Sequence, residues 1–447
     1  MSSIGEFEGK DIPESYYPKL VKELEPINKR LNAFLTISNP EGGFPFSVKD
    51  NICVNGVESR AGSRILKGYI PPFNATAVER MLNSGFGFLG KTNMDEFGFG
   101  SFGLNTEVPA KNPFDERYVA GGSSSGAAVA TSILKYHVAI SESTGGSIAT
   151  PAAFCGVVGF TPTYGAVSRY GLIDYANSLD KIGVMARSAE DVRIVFDKVK
   201  GSDKYDTTCT DAKFTAKDKK KVFIIDQFTK GVDEKILSSF EKLVEKFKDM
   251  GYNVENREIR LAEKAIAAYY IIAMAESSTN LAKYTGFKYG LRNERFDEHY
   301  NEFFTKARKA FHKESKRRIV LGTMVRSASV RDRYYSKALK VRSLLLDEMN
   351  ALLKEGFILS PVMPILTPKM AEAESLTPLE MYKSDMLTIP ANLCGLPHIS
   401  FPYAYEKGMP LGAQLITSQF NDYAIMDMVS KWEKDFEYRF KYNLGEL

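Results

Sequence analysis

The residue types that could do chemistry are concentrated in residues 119–165. Two clusters of glycine and serine lie there, at 121–126 and 144–147, and a short apolar segment separates them. Glycine destabilises helix and strand interiors, so clusters of it at the ends of elements indicate that backbone comes close to another group. Such turns bring several hydroxyls and bare backbone N–H groups together, which is the arrangement that an oxyanion hole requires.

A serine in these clusters could act as a nucleophile if a neighbouring group removes its proton. Lysine can be that base where burial disfavours its ammonium form. Lys49 ends residues 44–49, where the side chains alternate as in a β-strand. A lysine at a strand end is most often a solvent-exposed residue, so Lys49 becomes a candidate base only together with the two serine clusters.

The elements that must position these residues predict an α/β fold. A helix over 127–134 and a strand over 137–140 join the two clusters. Further helices are predicted over 14–34, 76–83, 188–196 and 233–250, and further strands over 86–89, 222–225, 254–259, 357–360, 398–402 and 411–417. Strands that alternate with helices favour a mixed, mostly parallel sheet covered by helices on both faces. Residues 200–221 are polar and predict a linker or insertion, and residues 262–350 predict an almost wholly helical region.

Composition narrows the class of protein. The chain has 447 residues and a formal net charge of +4, too small to indicate a nucleic-acid-binding protein by itself. Its four cysteines are scattered, which fits a reducing compartment and predicts no structural zinc site. No apolar run is long enough to predict a membrane span. The acidic first 15 residues resemble neither a secretory signal nor a transit peptide, so import into an organelle would require that such a segment has been removed.

Residues 85–92, GFGFLGKT, match the nucleotide-binding pattern G-x-x-x-x-G-K-[ST]. A phosphate-binding loop needs a strand before it and a helix after it. Here a helix is predicted before it, and the interior FGFL is itself typical of a strand. A helix–turn–strand with Lys91 and Thr92 at its end is therefore favoured, and an ATP-binding module is kept as an alternative.

Residues 122–126, GSSSG, match the nucleophile elbow G-x-S-x-G with Ser124 at its centre. An α/β-hydrolase also needs an acid and then a late histidine along the chain. His312 lies in a lysine-rich predicted helix, as solvated histidines do, and nothing else in the sequence supports His398. The elbow is therefore disfavoured.

Three segments resemble the amidase signature family: FPFSVKDN at 44–51, AGGSSSG at 120–126 and STGGSIATPAAFCGVVGFTPTYG at 143–165. Ser123 and Ser147 lie 24 residues apart, as the bridging serine and the nucleophile do in that family. The resemblance implies one large α/β domain over 1–447, with a core signature over 44–190.

The resemblance also implies a Ser–cisSer–Lys triad of Ser147, Ser123 and Lys49. Neutral Lys49 would take the proton of Ser147 through Ser123, and the Ser147 hydroxyl would attack an amide carbonyl. Water would then hydrolyse the acyl-enzyme by the reverse relay. The backbone N–H groups that would hold the oxyanion are those of Thr144, Gly145, Gly146 and Ser147.

Longer segments are similar to the A subunits of glutamyl-tRNA(Gln) amidotransferases, among them KTNMDEFGFGS, KRRIVLGT and DMLTIPANLCGLPHISFP. This resemblance implies a glutaminase that passes ammonia to a B subunit, which activates Glu-tRNA(Gln) with ATP and magnesium and amidates it. It also implies a small third subunit. We expect no cofactor, no metal and no membrane contact for this chain itself.

The same resemblance implies three substrate-binding residues. Arg318, in KRRIVLGT, would pair with the glutamine carboxylate as a planar fork. Asp385 would take the α-ammonium group, and Tyr269, one of an adjacent tyrosine pair, would line the pocket. Without the resemblance, Arg318 would be assigned to the solvent-exposed face of a basic helix.

The chain departs from the family pattern at three positions. Ser143 stands where the family usually has Asp, Ala149 where it has Arg, and Ser125 where it has Gly. The region before Lys49 is also short. Joint loss of the Asp and the Arg is consistent with loss of a mutual salt bridge, or with weakened or partner-dependent activity. These features resemble fungal mitochondrial forms, with a fungus-specific third subunit, and predict a location in the mitochondrial matrix; a bacterial form would be cytoplasmic.

Two further alternatives remain open. A free-standing amidase of the same family, acting on another small amide, would use the same triad, so only the pocket discriminates. A catalytically silent scaffold is the other, because of Ser143 and Ala149.

Overall fold

One eleven-stranded sheet organises the chain in the computed structural model, which describes residues 2–291 and 299–447. The strands are β1 Phe34–Ile37, β2 Phe44–Lys49, β3 Phe86–Thr92, β4 Val138–Ser143, β5 Val158–Thr161, β6 Lys181–Ala186, β7 Lys221–Ile225, β8 Asn253–Arg257, β9 Phe357–Pro361, β10 His398–Glu406 and β11 Met409–Ile416.

Helices flank this sheet along the whole chain. They are α1 Ser3–Glu8, α2 Tyr16–Leu31, α3 Thr76–Asn83, α4 Ser125–Ile133, α5 Ala149–Cys155, α6 Ala189–Val199, α7 Asp226–Thr229, α8 Glu234–Asp249, α9 Ala265–Asn280, α10 Tyr300–Arg308, α11 Lys313–Arg326, α12 Arg331–Leu353, α13 Met370–Ser375, α14 Pro378–Lys383, α15 Ile389–Leu393 and α16 Asp422–Glu433. None of the described helices is both long and apolar enough to cross a bilayer.

The strands pair in the order β1-β3-β2-β4-β6-β5-β10-β11-β9-β7-β8. Parallel pairs join β2 to β3 and β4, and β7 to β8 and β9. The other pairings between described strands are antiparallel. The mixed α/β sheet is as predicted, with a larger antiparallel share than helix–strand alternation suggested. One reason is the tight β10–β11 hairpin, where Lys407 and Gly408 both have positive φ, the conformation of a two-residue hairpin loop.

The predicted cover on both faces is visible in the burial of the central strands. Every residue of β2, β4 and β6 is buried, although successive side chains of a strand point to opposite faces. A strand buried on both faces has helices or loops packed above and below it.

The elements that carry the two serine clusters lie side by side. Strands β2 and β4 are parallel neighbours, with Val48 opposite Ile140, so their carboxyl ends meet at one edge. Helix α4 begins directly after the first cluster and α5 directly after the second. The topology therefore brings Lys49 and both clusters to one place.

Two stretches singled out in the sequence have ordinary structural roles. Residues 86–92 are strand β3 with helix α3 before it, as the preferred interpretation predicted. The Lys91 amine is buried and donates to the carbonyl of Ile52 and to Ser59 Oγ (3.0 Å). Residues 200–220 contain neither helix nor regular strand, and α9, α10, α11 and α12 occupy most of 262–350, of which residues 292–298 lie outside the described part.

His137 is buried beside these strands, and its burial predicts that the folded protein loses stability in acid. Its Nε2 lies 2.9 Å from Ser47 Oγ, and its Nδ1 lies 3.2 Å from Thr131 Oγ1. Burial, aided by the charge of Arg187, lowers the pKa of His137 to about 3. The unfolded chain takes up this proton below about pH 6.5. The contribution of neutral His137 to the free energy of unfolding is therefore fully present above that pH. It is lost as the pH falls towards 3, by up to about 1.4 kcal/mol per pH unit.

The test is the free energy of unfolding measured between about pH 4 and 7 in the wild type and in His137→Gln. The glutamine variant, which has no titrating ring, is expected to show the flatter dependence on pH. Equal slopes in the two proteins would contradict a buried neutral His137.

Candidate active site

The Lys49 side chain is buried and surrounded by acceptors. Its Nζ lies 2.7 Å from Ser123 Oγ, 3.0 Å from the Glu142 carbonyl oxygen and 2.9 Å from Glu142 Oε2. The Lys49 and Glu142 side chains are 0% and 1% exposed. Parallel pairing of β2 with β4 places the ends of the two strands together. The structure thus joins Lys49 to one of the two predicted serines.

The two serine clusters are in direct backbone contact. The Ser124 N–H donates to the Ser147 carbonyl oxygen at 3.2 Å, and the Asp95 N–H donates to the Ser123 carbonyl oxygen at 3.1 Å. The Gly122–Ser123 peptide bond is cis. The Ser147 backbone therefore lies against the segment that carries Ser123.

The second cluster forms a tight turn between β4 and α5. The N–H groups of Gly145, Gly146 and Ser147 donate to no other described residue. The Gly145 carbonyl is instead held by the hydroxyl of Ser143 (2.9 Å) and the side-chain amide of Asn392. Buried N–H groups are normally paired, so a turn that leaves several of them free is suited to accept an oxyanion.

The glycines of this turn are required by close neighbours. A Cβ on Gly146 would lie 2.6 Å from Thr388 Oγ1 and 2.8 Å from Thr150 Oγ1, and one on Gly145 would lie 2.8 Å from Tyr269 Oη. A larger residue would force the turn to move. Tyr269 therefore contacts the turn itself, in addition to the lining role that the resemblance implied.

Glu142 is the residue of this site that sequence reasoning missed. Its Oε2 also accepts from Asn51 Nδ2 (3.1 Å), and its Oε1 accepts from Thr144 Oγ1 (2.6 Å). The Thr144 hydroxyl lies 2.8 Å from Asp180 Oδ1. Burial, with the charge of Glu142, raises the pKa of Asp180 well above its usual range.

A signal for Glu142 was present in the sequence. The strand segment VAISES holds one carboxylate among small and apolar residues, and a fully buried glutamate almost always has a partner. What the sequence lacked was the pairing of β2 with β4, which identifies Lys49 as that partner.

Arg318 is buried at 4% exposure, not solvent-exposed as its basic helix alone suggested. Its Nε donates to Glu314 Oε1 at 2.8 Å, and its Nη1 donates to the Tyr175 hydroxyl. The guanidinium carbon lies 4.9–5.6 Å from the ring centroids of Phe99, Tyr175, Tyr270 and Tyr382. Aromatic faces attract a guanidinium, so the cage fixes the orientation of its planar fork.

Asp385 contacts the hydroxyl group of one of these four aromatic residues, Tyr270. Its Oδ2 accepts hydrogen bonds from the Tyr270 hydroxyl (2.6 Å) and from Ser101 Oγ (2.8 Å). Burial raises the pKa of Asp385, while these two hydroxyls and the charge of Arg318 oppose that shift. Of the tyrosine pair, Tyr270 binds Asp385 and Tyr269 contacts the turn at residues 144–147.

A cavity of about 220 Å³ is lined by Ser101 and Glu314, the direct partners of Asp385 and Arg318. Arg318 and Asp385 are not among the residues that line this cavity; each lies one side chain behind its wall, and Tyr270 contacts both. A cation and a carboxylate held this close together are suited to a zwitterion that carries both a carboxylate and an ammonium group. The described residues contain no group of three or more His, Cys, Asp or Glu that could hold a metal ion.

Ser143 and Ala149, the two departures from the family pattern near Ser147, are accommodated without a charge. Ser143 uses its hydroxyl inside the turn, and Ala149 begins α5 in an apolar cluster with Phe102 and Phe154. Neither position leaves an unpaired ion.

Comparison with known proteins gives consistent matches over nearly the whole chain. The model of the family "Amidase" matches residues 19–426. The A subunit of the glutamyl-tRNA(Gln) amidotransferase of Sulfolobus acidocaldarius is 39% identical over 98% of this chain and 97% of its own length. Its counterpart in a Nitratiruptor species is 42% identical, over 89% and 91%. The crystal structure of the Thermotoga maritima counterpart superimposes with a TM-score of 0.82 at 32% identity, covering 97% of this chain and 94% of that one.

Proposed function

This chain belongs to the amidase family, and from that premise we propose that it is the glutamine-hydrolysing A subunit of a glutamyl-tRNA(Gln) amidotransferase. The observation that carries the choice of substrate is that buried Arg318 and buried Asp385 both contact Tyr270, Arg318 at its ring and Asp385 at its hydroxyl. Free glutamine has an α-carboxylate and an α-ammonium group on one carbon. A pocket with both complementary charges selects it over neutral amides.

In the proposed first step, the Ser147 hydroxyl attacks the side-chain amide carbon of glutamine. Its proton moves to Ser123 while Ser123 gives its own proton to Lys49. Negative charge develops on the carbonyl oxygen, and the backbone N–H groups of Thr144, Gly145, Gly146 and Ser147 stabilise it. These donors are already in place, so little reorganisation is needed during the reaction.

In the second step, the relay runs backwards and delivers a proton to the leaving nitrogen. Ammonia departs, and the γ-carboxyl carbon remains bound to Ser147 as an ester. A water molecule then attacks this ester with the same relay as base, and glutamate is released. No metal is required by these steps.

We propose that ammonia passes to a partner B subunit, where ATP and magnesium activate Glu-tRNA(Gln). The chain itself would bind glutamine and no cofactor, and a small third subunit would complete the assembly. The relatives' names, which make each of them one subunit of a glutamyl-tRNA(Gln) amidotransferase, support an assembly of this kind. We further propose the mitochondrial matrix as its location, with the cytoplasm as the alternative.

Arg318→Ala distinguishes the proposed glutamine-hydrolysing subunit from a free-standing amidase that acts on another small amide. Loss of a charge-assisted contact of about 3 kcal/mol is expected to lower kcat/KM for glutamine by about 10²-fold. Hydrolysis of a small neutral amide such as propionamide should be unaffected. The measurement is ammonia release from each substrate, with the co-purified partners present.

Arg326→Ala is the matched control, because Arg326 lies on the same helix α11, is exposed, and forms a hydrogen bond with Thr279 away from the cavity. It is expected to retain glutamine hydrolysis. An equal loss on both substrates in Arg318→Ala, or a preference of the wild type for the neutral amide, would favour the free-standing amidase.

A further inference from the structure

We propose that Glu142 is the terminal proton acceptor of the site: it takes a proton from Lys49 so that Lys49 can take one from Ser123. This proposal rests on the relay described above. It adds a fourth member to the relay and replaces the expectation that Lys49 begins as a neutral amine.

The first support is the set of partners around the amine. Three acceptors surround Lys49 Nζ: Ser123 Oγ, the Glu142 carbonyl and Glu142 Oε2. An ammonium group has three donors and no acceptor, so it satisfies all three contacts at once. A neutral amine would also make three contacts, because its lone pair can accept the Ser123 O–H. The contacts therefore identify the groups that exchange protons with Lys49, and the charge of the pair decides its protonation state.

The second support is charge. An ammonium beside a carboxylate is neutral as a pair, whereas a neutral amine beside an ionised Glu142 would leave an uncompensated charge in a fully buried site. Such a charge is strongly destabilising. The pair therefore holds one proton more than a neutral Lys49 with ionised Glu142 would hold.

An ammonium cannot accept another proton, so the Lys49 proton must leave before Ser123 can deliver one. Of the three acceptors, only the Glu142 carboxylate becomes a stable acid. The balanced step has two parts. Lys49 first gives a proton to Glu142 Oε2, and the neutral amine turns about its Cε–Nζ bond so that its free lone pair faces Ser123. Ser147 O–H then gives its proton to Ser123 as Ser123 O–H gives its own to Lys49. The result is Lys49 as ammonium, Glu142 as carboxylic acid and one negative charge on the tetrahedral intermediate.

The leaving group reverses these transfers. Ser123 gives a proton to the departing nitrogen, Lys49 gives one to Ser123, and Glu142 returns its proton to Lys49. The site then regains its starting charges and can deprotonate water for the second half-reaction.

Other charged groups near the pair must be considered for its pH dependence. Asp180 lies across the Thr144 hydroxyl from Glu142. The positive charge of Lys49 acts on Asp95 and opposes the rise in its pKa that burial causes. Lys181, on β6, lies opposite Ser143 of β4, and its amine donates to the Leu396 carbonyl at 2.8 Å. These groups remain in a glutamine variant of Glu142, so a change in its pH profile reports the carboxylate itself.

The test is the pH profile of kcat/KM in Glu142→Gln, which keeps the size of the side chain and an acceptor for Lys49. If Glu142 accepts the proton, the variant works only when Lys49 has lost its own proton. Its acid limb is then expected at higher pH than in the wild type. The rate at neutral pH should fall by about 10²-fold or more and recover partly at alkaline pH.

If Lys49 instead begins neutral and Glu142 is only a nearby charge, the same variant weakens the hold of Lys49 on a proton, and the acid limb moves to lower pH. That result overturns the proposal, as does an unchanged limb. Glu433→Gln is the control, because Glu433 is a half-buried carboxylate that binds Ala189 N–H and Tyr438 on other elements. Its profile should match the wild type.

A second readout separates this proposal from the proposed function. The rate at which a fluorophosphonate labels Ser147 depends on the relay and not on glutamine. If the wild type is labelled but releases no ammonia from glutamine, the proposed function fails, and the labelling rate against pH still decides the role of Glu142. Glu142→Asp, which retains the charge but draws the carboxylate back from Lys49 Nζ, serves if the glutamine variant does not fold. A labelling rate that falls by about 10-fold or more supports the proposal, because proton transfer needs direct contact, and an unchanged rate contradicts it.

Discussion

Ser147→Ala is expected to lower kcat for glutamine hydrolysis by at least about 10⁴-fold, because the acyl-enzyme cannot form without the hydroxyl. Binding of glutamine should be almost unchanged, since Arg318 and Asp385 lie outside the altered side chain. The variant should fold, because alanine occupies less space than serine at a position that is 6% exposed.

The measurement is ammonia release from glutamine by the purified assembly, with glutamine binding measured separately. Ser125→Ala is the matched control: its buried hydroxyl has no hydrogen-bond partner among the described residues, and it lies in the first serine cluster, which contacts the cluster of Ser147. It should keep wild-type activity. Equal rates in Ser147→Ala and the wild type would remove Ser147 as the nucleophile, and failure of a fluorophosphonate to label it would favour a silent scaffold.

Lys49→Met is expected to abolish glutamine hydrolysis and also to destabilise the fold by about 3–5 kcal/mol. Methionine resembles the stem of lysine in volume, so little packing is lost. The cost arises because Glu142 then keeps a buried charge without its ion-pair partner. This second effect is not expected for a lysine that merely lines a pocket.

The double variant Lys49→Met with Glu142→Gln separates the two effects. It removes the unpaired charge, so most of the lost stability should return, while activity should not. Urea unfolding of the two single variants and the double variant gives the coupling energy of the pair. Additive losses of stability would show that Lys49 and Glu142 do not interact in the folded protein.

Much of the framework around the site could be predicted from local sequence. Alternation of side chains predicts β2 over 44–49, with the bounds that the structure has. Helix α8 was predicted from a regular apolar face and ends at Asp249, just before Gly251. The helix–strand order around 85–92 also disfavoured a phosphate-binding loop. These features depend on residues that are close together in the chain, so they can be predicted from local periodicity.

Arg318 shows where local sequence is insufficient. Its neighbours Lys313, Lys316 and Arg317 predict a solvated helix face, yet the structure buries Arg318 among aromatic rings that come from four separate parts of the chain. Such a cage stabilises a buried cation only when all the rings converge, and no local pattern records that convergence.

The sequence by itself determined the strand that carries Lys49, the two serine-rich turns and the family to which they point. The tertiary structure alone decided that Glu142 would meet Lys49, because that contact depends on which strand pairs with β2 and in which register. It also decided that Tyr270 would bind Asp385, while Tyr269 contacts the turn at residues 144–147. Contacts between residues distant in sequence follow from packing of the whole sheet and its helices, so the charge balance of the site can be read only from the folded chain.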